Sequence, residues 1–507
     1  MYSRSWPRSR PQDSVGRPGF VTGLWDDRQS AAAEQIEAGL DEIDLVRVAF
    51  CDPHGLARSK TLTVDTFRTV LRNGMDFSPG PFLFDTGHAV AVDFLAEPGV
   101  GVDEIAGAGD FVVVPDPLTF QFLPRNGPRT AWILGEEFLR DGSPHPLGAR
   151  DVLRRVCTSY AVRGLAPVVG LEVEWYLTRR LPGAPGNVGN GFGSQGAAPA
   201  VEAVNSGYQF NLDTFYDSVA DVTDPLAMLL VGLGLPLRTM EHESGPGQVE
   251  TTFAPMPALE AADAMLLFRT IVKQDCARRG FHASFMSLPA LDGFDPSGWH
   301  VHQSVTDVHT GRDLFTPDGA SSERMSPDGM AYVEGLLDAA RDLCLLSVPT
   351  VNGYRRLGPG YTLSPTRTGW SFEDRAAMVR VVGGDGGCHV ENRVGEPCAN
   401  PYLAIAAQLS AGLDGLDRRN GRAATPARPP STEGPGDLLP QSLGEALEAF
   451  RTGGAARAER LLGAPLTACL TKLKRSELAR FDTWCAKERP SGDGVTEWEH
   501  REYFEVY

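Results

Sequence analysis

VVGLEVEWYL, at residues 168–177, is the segment from which the rest of the chain is interpreted. Its β-branched and aromatic residues predict a strand. Because side chains alternate along a strand, the apolar residues share one face, and Glu172 and Glu174 share the other. Two neighbouring carboxylates repel each other unless a cation lies between or beside them. A single pair of this kind is more typical of an exposed strand face than of a functional site.

The same alternation recurs further along the chain, at QVE (248–250), HVH (300–302) and ENR (391–393). Each of these segments places two polar groups on one strand face. Four such strands side by side would form a polar bowl lined with carboxylates, imidazoles and guanidiniums. This pattern therefore predicts a site for metal and phosphate.

The composition is that of a soluble globular protein. The 507 residues suggest one large domain or two, and 42% of them are hydrophobic and 22% charged. The formal net charge of −18 argues against nucleic acid or an anionic membrane as the partner. It suits a protein that binds divalent cations or cationic substrates.

The eight cysteines are scattered and include no C-x-x-C pair, which favours buried free thiols in a reducing compartment. No apolar run approaches the length of a membrane span. The amino terminus is rich in Arg but has no apolar segment of the secretory type. We therefore expect a cytoplasmic protein.

The chain divides into three parts by pattern. Residues 1–26 are predicted to be a disordered tail, residues 27–124 a small α+β domain, and residues 125–507 a catalytic domain. Predicted helices lie near residues 28–39, 147–163, 258–279, 327–346 and 400–416. Strands in the small domain are expected near residues 43–50, 82–94 and 111–117.

Seven motifs together resemble the glutamine synthetase family, from about residue 43 to the carboxyl end. They stand in the family order: EVE (172–174), HESGPGQVE (242–250), SGWHVH (297–302), YRRL (354–357), DRAAMVR (374–380), ENR (391–393) and NPYL (400–403). The resemblance implies an α+β fold, with a small N-terminal β-grasp domain and a catalytic α/β domain built on a curved antiparallel sheet. It also implies a homo-oligomer, a ring-based dodecamer with each site at a subunit boundary.

The resemblance assigns six metal ligands in two sets. The ligands of the metal at the nucleotide phosphates match Glu172, His300 and Glu391. The ligands of the second metal, which faces the acyl phosphate, match Glu174, Glu243 and Glu250. Carboxylate-dominated sites with one imidazole suit Mg²⁺ or Mn²⁺.

The resemblance assigns the remaining site residues to the substrates. The residues that hold substrate carboxylates match Arg356 and Arg393. Those that steady the transferring phosphate match Arg375 and Arg380. Those near the nucleotide phosphates match His302 and Ser304. Asp85 and Tyr208 loosely match the pocket for the nitrogen substrate. Surface salt bridges are the alternative explanation for the arginines, and a turn is the alternative for Asp85.

The implied reaction uses ATP, glutamate and a nitrogen nucleophile. ATP phosphorylates the γ-carboxylate of glutamate to γ-glutamyl phosphate, and the nucleophile then displaces phosphate. An amine is mostly protonated at neutral pH, so an acidic pocket must bind its ammonium form and take the proton.

The sequence departs from the ammonia-using members at three points. The flap glutamate of those enzymes is replaced by Thr362, which is shorter and uncharged. The segment DGFDP, at residues 292–296, stands near their Asn-Gly pair, with a register open by one residue. No tyrosine lies between Tyr402 and Tyr503, so control by adenylylation is not expected.

These features favour a γ-glutamylamide synthetase, in which the space left by the missing carboxylate admits a substituted amine. A glutamine synthetase with an unusual flap is the alternative. A third hypothesis is a catalytically inactive relative kept for binding or regulation, against which the complete metal set argues.

Overall fold

The computed structural model describes residues 21–95, 98–124, 127–182, 191–317, 323–358, 360–361, 363–384, 387–422, 433–492 and 494–507. No helix in these ranges combines the length and the apolar character needed to cross a membrane.

The helices of the described residues, apart from short 3-10 turns, are α1 Asp27–Gly39, α2 Val64–Asn73, α3 Gly80–Leu83, α4 Ala149–Ala161, α5 Asp213–Gly232, α6 Ala258–Arg278, α7 Pro327–Ala339, α8 Cys344–Ser347, α9 Gly353–Arg356, α10 Pro401–Arg419, α11 Leu443–Arg451, α12 Ala455–Leu462, α13 Ala464–Glu488 and α14 Glu497–Tyr503. The strands are β1 Leu45–Cys51, β2 Ala57–Thr63, β3 Met75–Phe77, β4 Phe111–Pro115, β5 Gln121–Leu123, β6 Thr130–Phe138, β7 Leu165–Arg180, β8 Val201–Ala203, β9 Leu237–His242, β10 Gln248–Phe253, β11 Met256–Pro257, β12 Phe281–Ser284, β13 Trp299–Asp307, β14 Arg367–Phe372, β15 Val379–Gly384, β16 Gly387–Asn392 and β17 Gly434–Leu438.

The chain divides into two compact units. One unit comprises residues up to Phe50, Ser59–Phe77 and Phe111–Pro144, and the other comprises Cys51–Arg58, Ser78–Asp110 and His145–Tyr507. The first unit is built on a sheet with the strand order β2-β1-β6-β4-β3, in which β5 also pairs with β6. Val21 is buried against the side chains of β4, and the Trp25 indole N–H donates to the Pro115 carbonyl at 3.0 Å. The last residues of the predicted tail thus lie in the folded unit.

The second unit carries an eleven-stranded sheet with the order β17-β14-β15-β16-β13-β7-β10-β9, to which β8, β11 and β12 add by pairing with β7. Among its described strands the pairs are antiparallel except for β14 with β15, which is parallel. The expectation of a wholly antiparallel sheet is therefore wrong at this pair. The connection between the two strands begins at Glu373, whose φ of 55° lies in the left-handed region.

The central strand β7 has the predicted division of faces. Its apolar side chains, Leu171, Val173, Trp175 and Leu177, are all buried. α4 and α6 pack against β7, and the Trp175 indole N–H donates to the Thr251 hydroxyl at 3.0 Å. Full burial of each such side chain stabilises the fold by about 1.5–3 kcal/mol, so this face holds the strand in place while the other face carries the carboxylates.

Two predicted elements differ from the structure. The strand expected near residues 82–94 is absent from the described chain there, because the Asp85 carboxylate accepts the backbone N–H groups of Gly87 and Ala89 and forms a turn. The helix expected at residues 327–346 is two helices, α7 and α8.

Candidate active site

A row of polar side chains crosses the large sheet from β9 to β15. Strand pairing puts Glu250 opposite both Glu241 and Glu174, His300 opposite Glu172, and Glu391 opposite both His302 and Arg380. Residues directly opposite in neighbouring strands have Cβ atoms about 4.5–5.5 Å apart. The pairing therefore brings four distant sequence motifs into one site, as the alternation predicted.

Glu172 lies between two imidazoles. Its Oε1 is 2.7 Å from His300 Nδ1, and its Oε2 is 3.0 Å from His302 Nε2. Burial raises the pKa of Glu172, but hydrogen bonds and charge from the two histidines outweigh burial and hold that pKa well below its usual range. Glu172 is therefore an ionised carboxylate fixed at both oxygens.

The opposite end of the row is acidic. The Gly298 N–H donates to Glu174 at 2.9 Å, and the Ser244 N–H donates to Glu243 at 3.3 Å. Burial, followed by the charge of Glu174, raises the pKa of Glu243 to about 8. Burial and the charges of Glu172 and Glu174 raise that of Glu250 to about 10. Without a cation these carboxyls must hold protons to coexist, so the donor set fits a divalent metal.

Among the residues that the structure describes, two groups of side chains could hold such an ion. Glu172, Glu250 and His300 form one group, and Glu172, His302 and Glu391 form the other, with the ligand atoms of each group all within 4.8 Å of one another. The division of the six expected ligands into two metal sets stays a prediction, since Glu172 belongs to both groups.

Buried guanidiniums close the β16 side of the site. Arg356 and Arg393 are only 4% and 5% exposed, which excludes surface salt bridging for both. Arg356 donates to the carbonyls of Arg393, Val394 and Gly395, and burial lowers its pKa to about 10.

Arg380 and Arg393 both contact Glu391, through one NH1 atom each. Their Nε atoms are buried and have no partner among the described residues. An unpaired buried donor costs free energy, so two such N–H groups in one site are suited to an anionic substrate group.

Two further predicted residues lie outside the row of contacts described above. Arg375 is exposed on the connection between β14 and β15, and Ser304 is half-buried on β13, two residues beyond His302. Thr362 lies outside the described residues. The roles given to these residues stay predictions.

Asp85 is engaged within its own unit. The buried carboxylate accepts from Arg480 Nε at 2.9 Å and from the Ser476 hydroxyl at 2.7 Å. It is thus paired with a cation in its own chain, and a role in binding the nitrogen substrate stays a prediction.

Tyr208 lies beside the acidic end of the row. Its N–H donates to the Ser244 carbonyl at 2.6 Å, its φ is 65°, and its side chain is 74% exposed. The loop that carries Tyr208 is thereby fixed to the segment containing Glu243.

Two residues of the site were missed in the sequence. Glu241 lies opposite Glu250, and His389 lies on the same face of β16 as Glu391, with its Nε2 3.1 Å from His302 Nδ1. Both stand two residues from a predicted ligand, so extending the same period-two pattern by one step would have found them.

The comparisons with known proteins agree with this geometry. Residues 147–500 match the family model of the glutamine synthetase catalytic domain. A gamma-glutamylanilide synthase of Acinetobacter sp is 38% identical, over 96% of this chain and 99% of that protein. A gamma-glutamylethanolamide synthetase of Streptomyces coelicolor is 29% identical, over 92% and 93% of the two chains. A crystal structure described as a novel glutamine synthase homolog has the same fold, with a TM-score of 0.72 at 24% identity, covering 92% of this chain and 99% of that one.

Proposed function

The chain belongs to the glutamine synthetase family, and on that premise we propose that it is an ATP-dependent ligase that joins the γ-carboxylate of glutamate to a primary amine. The observation that carries the proposal is the row of opposed polar residues from Glu241 to Arg380, with its buried, unpaired guanidinium N–H groups. A site that holds two cations and several arginines is suited to bind ATP beside a dicarboxylate.

The site residues divide by charge. The metal ligands, Glu172, Glu174, Glu243, Glu250, His300 and Glu391, would hold Mg²⁺ or Mn²⁺, which neutralises phosphate charge when bound. Arg356 and Arg393 bind the carboxylates of glutamate. Arg380, which has a free Nε–H, steadies the phosphoryl group as it passes to the γ-carboxylate, and Arg375 would act on the same group. Phosphate then leaves as the amine attacks.

The acceptor is an amine rather than ammonia. The sequence offers Thr362 where the ammonia-using members carry a flap glutamate, so the site lacks one carboxylate that would hold ammonium. Tyr208, whose backbone bonds to the Ser244 carbonyl and whose side chain is exposed, offers apolar surface to a carbon substituent. The names of the Acinetobacter and Streptomyces relatives support the same class of product, a γ-glutamylamide.

The reaction is tested by phosphate release with product identification by mass spectrometry. Purified protein receives ATP, glutamate and Mg²⁺ with ammonium, ethanolamine, aniline or a polyamine. We expect release that requires glutamate, metal and one of the amines together, with a γ-glutamylamide as the product. Release with none of the nitrogen substrates would contradict the proposal and favour the inactive, binding relative. Glutamine as the main product throughout would favour the ammonia-using alternative.

A further inference from the structure

Glu499, on α14, is a fully buried carboxylate that the reaction scheme does not use. Its Oε1 accepts the Asn352 amide N–H at 3.2 Å and the Arg355 Nε–H at 3.0 Å, and its Oε2 accepts from Arg355 Nη2 at 2.9 Å. A buried ion pair offsets its desolvation only when its geometry is good and its other oxygen lone pairs are bonded, as they are here. One side chain of α14 thus holds α9 and the residue that precedes it.

Arg356, which follows Arg355 on α9, is the residue to which the proposed function gives a carboxylate of glutamate. Its guanidinium donates to the backbone carbonyls of residues 393–395, and these bonds fix its direction. It also lies directly against Gly298, where an added Cβ atom would overlap it. Contacts this close leave little room for adjustment, so a shift of α9 would displace the guanidinium.

Asn352 connects Glu499 to a second segment of the site. Its side-chain amide donates to the Leu288 carbonyl at 3.0 Å and accepts the Leu288 N–H at 2.8 Å. The segment that begins at Leu288 leads to Gly298, whose N–H donates to Glu174 at 2.9 Å. Because Asn352 bonds to both Leu288 and Glu499, one carboxylate orients two segments of the site.

We propose that Glu499 is a positioning residue for glutamate binding, which holds α9 through Arg355 and Asn352 so that the Arg356 guanidinium meets a substrate carboxylate. The proposal rests on the proposed function, since it takes glutamate as the substrate that Arg356 binds. A displacement of about 1 Å in a site that positions a substrate can cost about 100-fold in rate. The effect should fall on glutamate, because the bonds of Glu499 lead to the segment that carries Arg356.

Paired variants separate this role from the stability of α14. Glu499→Gln keeps the shape of the side chain but removes its charge and one acceptor that faces Arg355. Arg355→Met removes the same ion pair from its less buried side, since the Arg355 side chain is 26% exposed. The double variant completes the cycle.

Thr496→Val is the matched control. The Thr496 hydroxyl caps α14 and donates to Glu499 at 2.8 Å, so its loss loosens the helix while both bonds from Glu499 to α9 and Asn352 remain. KM for glutamate, KM for ATP and the thermal midpoint are measured for each protein, with phosphate release followed in the presence of the best nitrogen substrate of the panel.

We expect Glu499→Gln and Arg355→Met each to raise KM for glutamate by about 10-fold or more, while KM for ATP changes little. The double variant should be no worse than either single variant, because the two side chains act as one unit. Thr496→Val should have a lower thermal midpoint but the KM for glutamate of the wild type.

An unchanged KM for glutamate in Glu499→Gln and Arg355→Met would overturn the inference and leave the proposed function standing. So would an equal rise in KM for ATP, an equal rise in Thr496→Val, or effects that multiply in the double variant. If Glu499→Gln does not fold, Arg355→Met compared with Thr496→Val decides the question. A wild-type protein without glutamate-dependent phosphate release would overturn both the inference and the proposed function.

Discussion

At the scale of single residues, Glu172 carries most of the expected metal chemistry, since both of its oxygens face imidazoles and it belongs to both candidate metal groups. We expect Glu172→Ala to abolish phosphate release, because a cation that also holds phosphate loses a ligand. The variant should fold, since removing one of several crowded carboxylates relieves repulsion. The control is Glu202→Ala, which changes an exposed residue that pairs with Arg179 near the end of β7. Activity and the thermal midpoint are compared between the two variants. Near wild-type turnover at limiting Mg²⁺ would refute the assignment.

A second prediction concerns Glu396 and the pH dependence of the stability of the fold. It is fully buried, accepts the Thr350 N–H and hydroxyl at 2.8 Å each, and has its pKa raised by burial to about 8. The unfolded value is about 4.3, so between these pH values the folded chain holds a proton that the unfolded chain has lost. This group therefore makes stability fall as pH rises from about 4.3 to 8.

Glu396→Gln cannot lose that proton. The thermal midpoint of the variant, relative to wild type, should therefore rise between pH 5 and pH 8 by roughly one to three degrees and then level off. Exposed Glu459→Gln is the control and should show no such trend. A difference between Glu396→Gln and wild type that stays constant across this range would show that Glu396 ionises normally.

At the scale of elements, the period-two pattern predicted which strands carry the site, because alternation is local. It could not supply the register that sets Glu250 opposite Glu174, since that pairing is decided by the packing of strands distant in sequence. The strand predicted near residues 82–94 was wrong for a related reason: the Asp85 side chain competes with strand pairing by binding its own backbone, in the turn that was the alternative for this residue. Helices α6 and α10 were predicted closely because both have many buried apolar residues, and α10 begins after Asn400, whose side chain accepts the N–H groups of Tyr402 and Leu403.

A prediction about helix α13 concerns the contribution of Arg480 to stability. This side chain pairs with Asp85 and with Glu502 of α14, and both carboxylates are completely buried. Arg480→Met would leave two buried charges without their cation, at a cost of about 3–5 kcal/mol, so we expect a large fall in the thermal midpoint. Arg501→Met, which removes an exposed i,i+4 pair with Glu497, should change it little. Equal midpoints for the two variants would show that Arg480 does not anchor the Asp85 turn.

At the scale of the whole molecule, the ring-based dodecamer with shared sites that the sequence resemblance predicts stays a prediction. Light scattering after size exclusion should then give a mass about twelve times the 54.6 kDa of one chain. Activity should follow the oligomer and be absent from any dissociated chains. A fully active monomer would exclude sites shared between subunits.

The central claim, that an amine rather than ammonia is the acceptor, is tested most directly by competition. Ammonium and the best amine of the panel are supplied together at equal concentration with ATP, glutamate and Mg²⁺, and the two products are quantified by mass spectrometry. We expect the γ-glutamylamide to exceed glutamine by about tenfold or more, the factor that two buried methylene groups supply at roughly 0.8 kcal/mol each. Glutamine as the larger product would contradict the account.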